Sequence, residues 1–282
     1  MSKILVTGST GNVGSRVVRL LSSRGVAVRA FARDAQRANV APNVEVAVGD
    51  FTDKASLSKA MEGVTHMFLL SAGHELEQHE ANAIDAAKAA GVGLVVKHSV
   101  AGAQYKASDI PRWHRAGEER LEASGVPYVF LRNAPFASNA FGWAPTIKSQ
   151  GTVYGALGEA SLPVIDPEDI AEVAATVLTT PGHAGKAYEL SGPESLTSEQ
   201  QVNELGRAVG KPLKYVNVPD NAAKEAMLGM GMATPYVDAM VNLIQFLRQV
   251  GRVEPSNDVK TLTGKQPRTF GQWAEANAGA FR

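Results

Sequence analysis

Short apolar, β-branched runs alternate with helical patterns through the first half of the chain. The runs are Ile4–Val6, Val26–Phe31, Val44–Val48, Thr65–Leu70, Leu94–His98 and Tyr128–Leu131. Between them, residues 13–21 and about 53–62, 75–90 and 112–124 carry apolar positions at helical spacing. Gly25, Gly63, Gly91 and Gly125 each stand just past a helix and before a strand, where a left-handed C′ glycine belongs. This alternation predicts an α/β fold with right-handed crossovers: a doubly wound parallel sheet with helices on both faces.

After about residue 135 the pattern loosens. Residues 139–158, with glycines, aromatics and one proline, suit a loop or short helix over a pocket. Asp166 opens a helix with Pro167 at its first position. Residues 185–190 read as another strand, and Thr197–Gln200 as a capping box opening a helix to about Val209. Helical stretches follow near 220–231 and 234–250. The expected division is a sheet domain over 1–150, completed by a strand at 185–191, and a smaller, mostly helical lobe over 151–282 that covers the active-site cleft.

The first strand ends in Thr7-Gly8-Ser9-Thr10-Gly11-Asn12-Val13-Gly14. A strand, a glycine turn and a helix in that order form a phosphate-binding site. Unpaired N–H groups and the positive end of the helix dipole favour an anion, and glycines let it approach the backbone. The spacing is Gly-x-x-Gly-x-x-Gly rather than the more usual Gly-x-Gly-x-x-Gly.

Composition narrows the partners. The 282 residues are 44% hydrophobic and carry no net charge and no cysteine. Disulfides and thiolate chemistry are excluded, and nothing favours nucleic acid or an anionic membrane. No apolar stretch approaches the roughly 20 residues of a membrane span, and none resembles a signal-peptide core. A cytoplasmic protein, monomer or homodimer, is expected. No histidine and carboxylate set has metal-ligand spacing; His79 and Glu80 read as a solvated helix face.

The glycine turn resembles the Thr-Gly-x-Thr-Gly-x-x-Gly of atypical short-chain dehydrogenases of the NmrA-like family. Ala32-Arg33-Asp34, Gly49-Asp50-Phe51, Val126–Asn133, Ile165–Ala171 and Tyr188–Glu194 match further segments in order, over nearly the whole chain. The resemblance implies a Rossmann sheet and chemistry like that of NAD(P)H-dependent quinone oxidoreductases and azo or triphenylmethane dye reductases. Other members of the family are redox sensors that bind the dinucleotide without turning it over.

Gly8, Thr10, Gly11, Asn12, Val13 and Gly14 then seat the pyrophosphate. Arg33, at the end of the second strand, is placed to pair with the 2′-phosphate of NADP(H), which makes NADP(H) the preferred cofactor and NAD(H) the alternative. Arg33 is otherwise an ordinary surface residue. Asp34 is a competing ribose ligand or, preferably, a helix N-cap. Family likeness puts Asp50 and Phe51 beside the adenine, against the plain reading of a capping Asp and a core Phe. Leu70 and Ser71 fall near the nicotinamide ribose, and Asn133, Pro135 and Phe136 on the nicotinamide-side loop.

The Tyr-x-x-x-Lys pair of ordinary short-chain dehydrogenases is missing: Tyr105 is followed four residues later by Asp109. His114 is the best remaining proton donor, with Glu118 one helical turn on to orient it; an exposed pair without chemistry is the alternative. Ser99 stands where a catalytic serine sits in those enzymes, or is only a backbone partner. Lys97 has no explanation from its neighbours in the chain. Phe136, Phe141, Trp143 and Tyr236 would wall a flat aromatic or conjugated substrate, or pack as lobe core; a methionine stripe including Met230 and Met232 reads as packing. The leading function is hydride transfer from NADPH to an electron-poor acceptor: a quinone, an azo or triarylmethane compound, or an enone. The alternative is a non-catalytic NADP(H)-binding redox sensor acting through a protein partner.

Overall fold

The computed structural model describes residues 2–38 and 40–282. Its main sheet contains β1 (Lys3–Val6), β2 (Ala27–Ala32), β3 (Glu45–Val48), β4 (His66–Leu69), β5 (Leu94–Val100) and β6 (Tyr128–Asn133). Two short sheets pair β7 (Thr152–Gly155) with β11 (Lys214–Asn217), and β8 (Ser161–Leu162) with β10 (Leu196–Thr197). β9 (Lys186–Leu190) returns to the main sheet, whose order is β3-β2-β1-β4-β5-β6-β9. Every pairing in it is parallel.

Both faces of these strands are apolar, so alternate side chains feed two separate cores. Ile4, Val6, Phe68, Val96, Val129 and Leu131 face one way. They meet α1 (Gly14–Ser23) through Val17 and Leu21, and α6 (Pro167–Thr179) through Ile170, Val173 and Val177. Leu5, Met67, Leu69, Val95 and Phe130 face the other. Their cover is α2 (Lys54–Met61), α3 (Leu76–Ala89) and α4 (Asp109–Ser124).

α4 starts at Asp109, three residues before the helix pattern becomes legible. Pro111 falls in its first turn, where a missing N–H costs nothing. The segment after β6 forms a 3₁₀ turn over Ala137–Trp143, then α5 (Ala144–Gln150), then β7.

α6, β9 and Val259 of α10 (Asp258–Thr263) join the sheet and its core. The lobe has its own core, gathered from Ala137, Ile147, Val153, Leu162, Leu205 of α7 (Ser198–Val209), and Phe270, Trp273 and Phe281 in and after α11 (Phe270–Asn277). α8 (Asp220–Gly229) contributes no buried residue; α9 (Thr234–Val250) buries Val237 and Ala239. Among the described residues no helix is long and apolar enough to cross a membrane.

This layering predicts unequal costs along the sheet. Phe68→Ala, in the sheet interior, will destabilise by about 3–5 kcal/mol. Val48→Ala, on edge strand β3 and 57% exposed, will cost less than about 0.5 kcal/mol. Urea unfolding of both variants checks the difference.

Candidate functional site

The strand order reverses direction between β1 and β4, which opens a crevice at their carboxyl ends. The turn after β1 closes on that crevice and is tied to both neighbours. Thr7 Oγ1 donates to Leu70 O at 3.0 Å and accepts from Leu70 N at 2.8 Å. Ser9 Oγ donates to Phe31 O at 2.8 Å, at the end of β2.

Glycine is required here on two counts. Gly8 has φ +61°, and a Cβ on it would lie 2.7 Å from Leu70 Cδ2. A Cβ on Gly14 would overlap the Gly8 carbonyl oxygen, on which the first turn of α1 rests. No side chain caps α1, and its first turn carries no acid. Ser15 N donates to Gly11 O at 3.1 Å, and the positive dipole end of the helix is left for an anion. Thr10, Gly11 and Asn12 are exposed on top of the turn, while the Val13 side chain is buried in the core, leaving only its backbone for a ligand. Asn12 Nδ2 donates to Ser138 Oγ, and Arg16 holds the Asn12 side chain at 2.7 Å while bonding Glu168 of α6 at 3.0 Å.

A second group lines the crevice beyond β2 and β3. Arg33 is exposed at the end of β2. Asp34 caps the following 3₁₀ turn, accepting from Gln36 N at 2.9 Å. Asp50 accepts from Thr52 N at 2.9 Å and Thr52 Oγ1 at 2.7 Å. Those bonds, helped by the nearby His79 and Arg33, hold its carboxyl below the usual range. Phe51 stacks on His79 at 5.3 Å and meets Phe31 edge-on at 5.8 Å, and Ser71 Oγ lies 3.3 Å from His79 Nδ1. His79 is thus half-buried among site residues, not on a solvated face.

Glu80, its neighbour on α3, is also misplaced by the sequence reading: it is fully buried. It accepts from Lys97 Nζ at 2.6 Å, an ion pair with neither side chain exposed. Burial pushes the Glu80 carboxyl up, to about 7, against the pull of Lys97. Lys97 Nζ also reaches His98 O at 3.2 Å and His114 Nδ1 at 3.4 Å.

The expected His114–Glu118 pair does not form. Both lie on one face of α4, but the Glu118 carboxylate is taken by three other donors. Ser99 Oγ donates to it at 2.7 Å, Arg132 of β6 at 3.0 and 2.8 Å, and Arg115 at 2.9 Å. Burial raises the Glu118 pKa, but bonds from Arg132, Ser99 and Arg115 outweigh it and leave the group below its ordinary value. Ser99 and Glu118 are fully buried. His114 is 6% exposed, and burial, then the Lys97 charge, hold it well below the usual histidine range. His98, with neither ring nitrogen hydrogen-bonded among the described residues, is depressed to about 3 for the same reasons.

Of the aromatic residues, Phe136 meets His98 edge-on at 5.6 Å, next to Asn133 and Pro135 at the end of β6. Asn133 Nδ2 donates to Ser99 O at 3.0 Å, and its Oδ1 is buried without a partner among the described residues. Phe141 and Trp143 instead pack with the lobe. Phe141 stacks on Phe281 at 5.8 Å and meets Trp273 edge-on at 5.1 Å, so the residues expected to wall one pocket are divided. Tyr236 is half-buried on α9, and burial raises its hydroxyl pKa. Met230 and Met232 are exposed rather than packed.

The buried histidines make stability fall in acid. His98 has its ordinary value of 6.5 in the unfolded chain and about 3 in the fold, so the unfolded chain takes the proton first. Its contribution is present above pH 6.5 and is lost as pH falls toward 3, at roughly 1.4 kcal/mol per pH unit. Glu80 opposes this trend and His114 adds to it. His98→Phe will therefore show a shallower loss of stability than wild type when unfolding is measured at pH values from 6 down to 4.5.

Known proteins share this frame. NAD(P)H azoreductase of Xenophilus azovorans is 36% identical over 282 residues, 99% of each chain. The (4-alkanoyl-5-oxo-2,5-dihydrofuran-3-yl)methyl phosphate reductase of Streptomyces griseus is 36% identical over 281 residues, again 99% of each. The NADPH-dependent quinone oxidoreductase of Escherichia coli, solved with NADPH, superposes with TM-score 0.86 at 28% identity, covering 97% of this chain and 99% of that one. The NmrA-like family model matches residues 1–274, and the chain belongs to that family.

Proposed function

We propose that the protein is an NADPH-dependent reductase acting on a small, electron-poor aromatic or conjugated acceptor, such as a quinone, an azo or triarylmethane compound, or an enone. The observation that carries this reading is the glycine turn at the β1–β4 crevice: closed to any Cβ at Gly8 and Gly14, and uncapped at the helix that follows. The likeness to an azoreductase and to an NADPH-bound quinone oxidoreductase supports it.

The residues present fit a dinucleotide. Gly8, Thr10, Gly11, Asn12, Gly14 and the Val13 backbone would hold the pyrophosphate. Arg33 would take the 2′-phosphate with its planar fork. Asp50 and Phe51, backed by His79, would border the adenine, with Leu70 and Ser71 at the nicotinamide ribose. Asn133, Pro135 and Phe136 would line the nicotinamide side. When bound, the reduced nicotinamide supplies hydride to the acceptor.

The chain's own part is to orient and to donate. Phe136 and His98 present an apolar edge for a flat ring, and Tyr236 approaches from α9. α9 is tied to the start of α4 by Asn242 Nδ2 on Asp109 Oδ2 at 2.9 Å. His114, neutral and barely exposed, gives a hydrogen bond to the reduced acceptor, and water supplies the proton. Ser99 and Glu118 act from behind, pinning α4 to the ends of β5 and β6. We place the enzyme in the cytoplasm, as a monomer or homodimer working without nucleic acid.

Two measurements test this. NADPH consumption across a panel of quinones, azo dyes and enones will show turnover with at least one acceptor; tight NADPH binding with turnover of none overturns the reading. Arg33→Ala will weaken NADPH binding by about tenfold to a hundredfold, the worth of a charge-assisted phosphate contact, and leave NADH nearly unchanged. Equal losses for both would remove Arg33 from the 2′-phosphate.

A further inference from the structure

Lys97 is a lysine in a central strand whose side chain is fully buried. An ammonium so placed needs a partner for each proton, because its desolvation costs several kcal/mol. It has three donors and no acceptor. Three acceptors surround it: Glu80 Oε1 at 2.6 Å, His98 O at 3.2 Å and His114 Nδ1 at 3.4 Å. The site is built from two of the covering helices, α3 and α4. On α3 stands Glu80; on α4, Gly117 leaves room for it, since any Cβ there would overlap the Glu80 carboxylate.

An ammonium can only donate, so the histidine nitrogen that faces it is bare. The neutral ring then carries its single proton on the other nitrogen, Nε2. Glu118, the obvious orienting carboxylate from spacing alone, is fully engaged by Ser99, Arg132 and Arg115.

We propose that Lys97 is a positioning residue for His114: it holds the imidazole as the neutral Nε2–H tautomer, so that the ring's one N–H is turned away from the buried cluster and toward the acceptor. Glu80 is the second positioning residue, fixing Lys97. The inference rests on the reductase reading for its use, but the tautomer is a property of the protein alone. Burial, and after it Lys97 and His98, depress the basicity of His114. The Glu80 carboxylate is paired with Lys97 at 2.6 Å, and Glu118 is neutralised by Arg132 and Arg115. The donor accordingly stays neutral across the working pH range.

Two-bond ¹H–¹⁵N correlation spectra of the labelled full chain report the tautomer directly. The wild type will show His114 as a single Nε2–H form. Lys97→Met combined with Glu80→Gln removes both charges together, so that neither is stranded. In that variant His114 will populate both tautomers, and kcat will fall by up to about a hundredfold, the lower end of what losing one oriented hydrogen-bond donor costs, while the KM for NADPH holds. An Nδ1–H ring in the wild type overturns the proposal without any variant being needed, and so does an unchanged tautomer in the folded double variant. Absence of turnover with every acceptor would instead strike at the reductase reading and leave the tautomer result standing.

Discussion

No side chain fits where α1 meets the end of β1. The first turn of the helix rests on the Gly8 carbonyl, and Gly8 itself is pressed against Leu70 in a left-handed conformation. This single close approach sets the angle at which α1 leaves the sheet. It also determines that backbone N–H groups, not side chains, form the floor of the crevice. The hydroxyls of Thr7 and Ser9 carry the constraint outward to β4 and β2, so the ends of three adjacent strands are held to one turn.

A different force organises the opposite side of the crevice. There the carboxyl ends of β5 and β6 are joined to α4 through Ser99 and Arg132 on Glu118, and β5 is joined to α3 through Lys97 on Glu80. Buried ion pairs contribute little net stability once desolvation is counted. What they do fix is position, because the Glu118 carboxylate accepts from several elements at once. Ser99, Arg132 and Arg115 belong to two strands and a helix, and they converge on one side chain.

The alternation of strands and helices is legible in the sequence because its signals are local. Period-two and period-3.6 patterns, and glycines at helix ends, depend on near neighbours only. The glycine turn is legible for the same reason. Side-chain partners are not. Spacing puts His114 and Glu118 on one face of α4, but cannot show that Arg132, from the next strand, reaches the carboxylate. Phe141 and Trp143 look like a pocket wall until Trp273 and Phe281, far along the chain, turn out to pack against them. Glu80 looks solvated in a helix rich in polar residues. The one available signal was Lys97: a cation within an otherwise apolar buried strand demands a carboxylate on a covering helix.

The placement of α6 and β9 has a consequence for how the chain is made. The sheet face built by Val6, Phe68, Val96 and Leu131 is complete once β6 has been synthesised. α1 covers part of it from the start, but the rest of its cover, α6, lies beyond the first stretch after β6, and the edge strand β9 comes later still. At roughly 5–20 residues per second, a nascent chain leaves the part of that apolar face under α6 uncovered on the ribosome for a few seconds. A holding chaperone has its opening in that interval, and aggregation between neighbouring nascent chains has its opportunity.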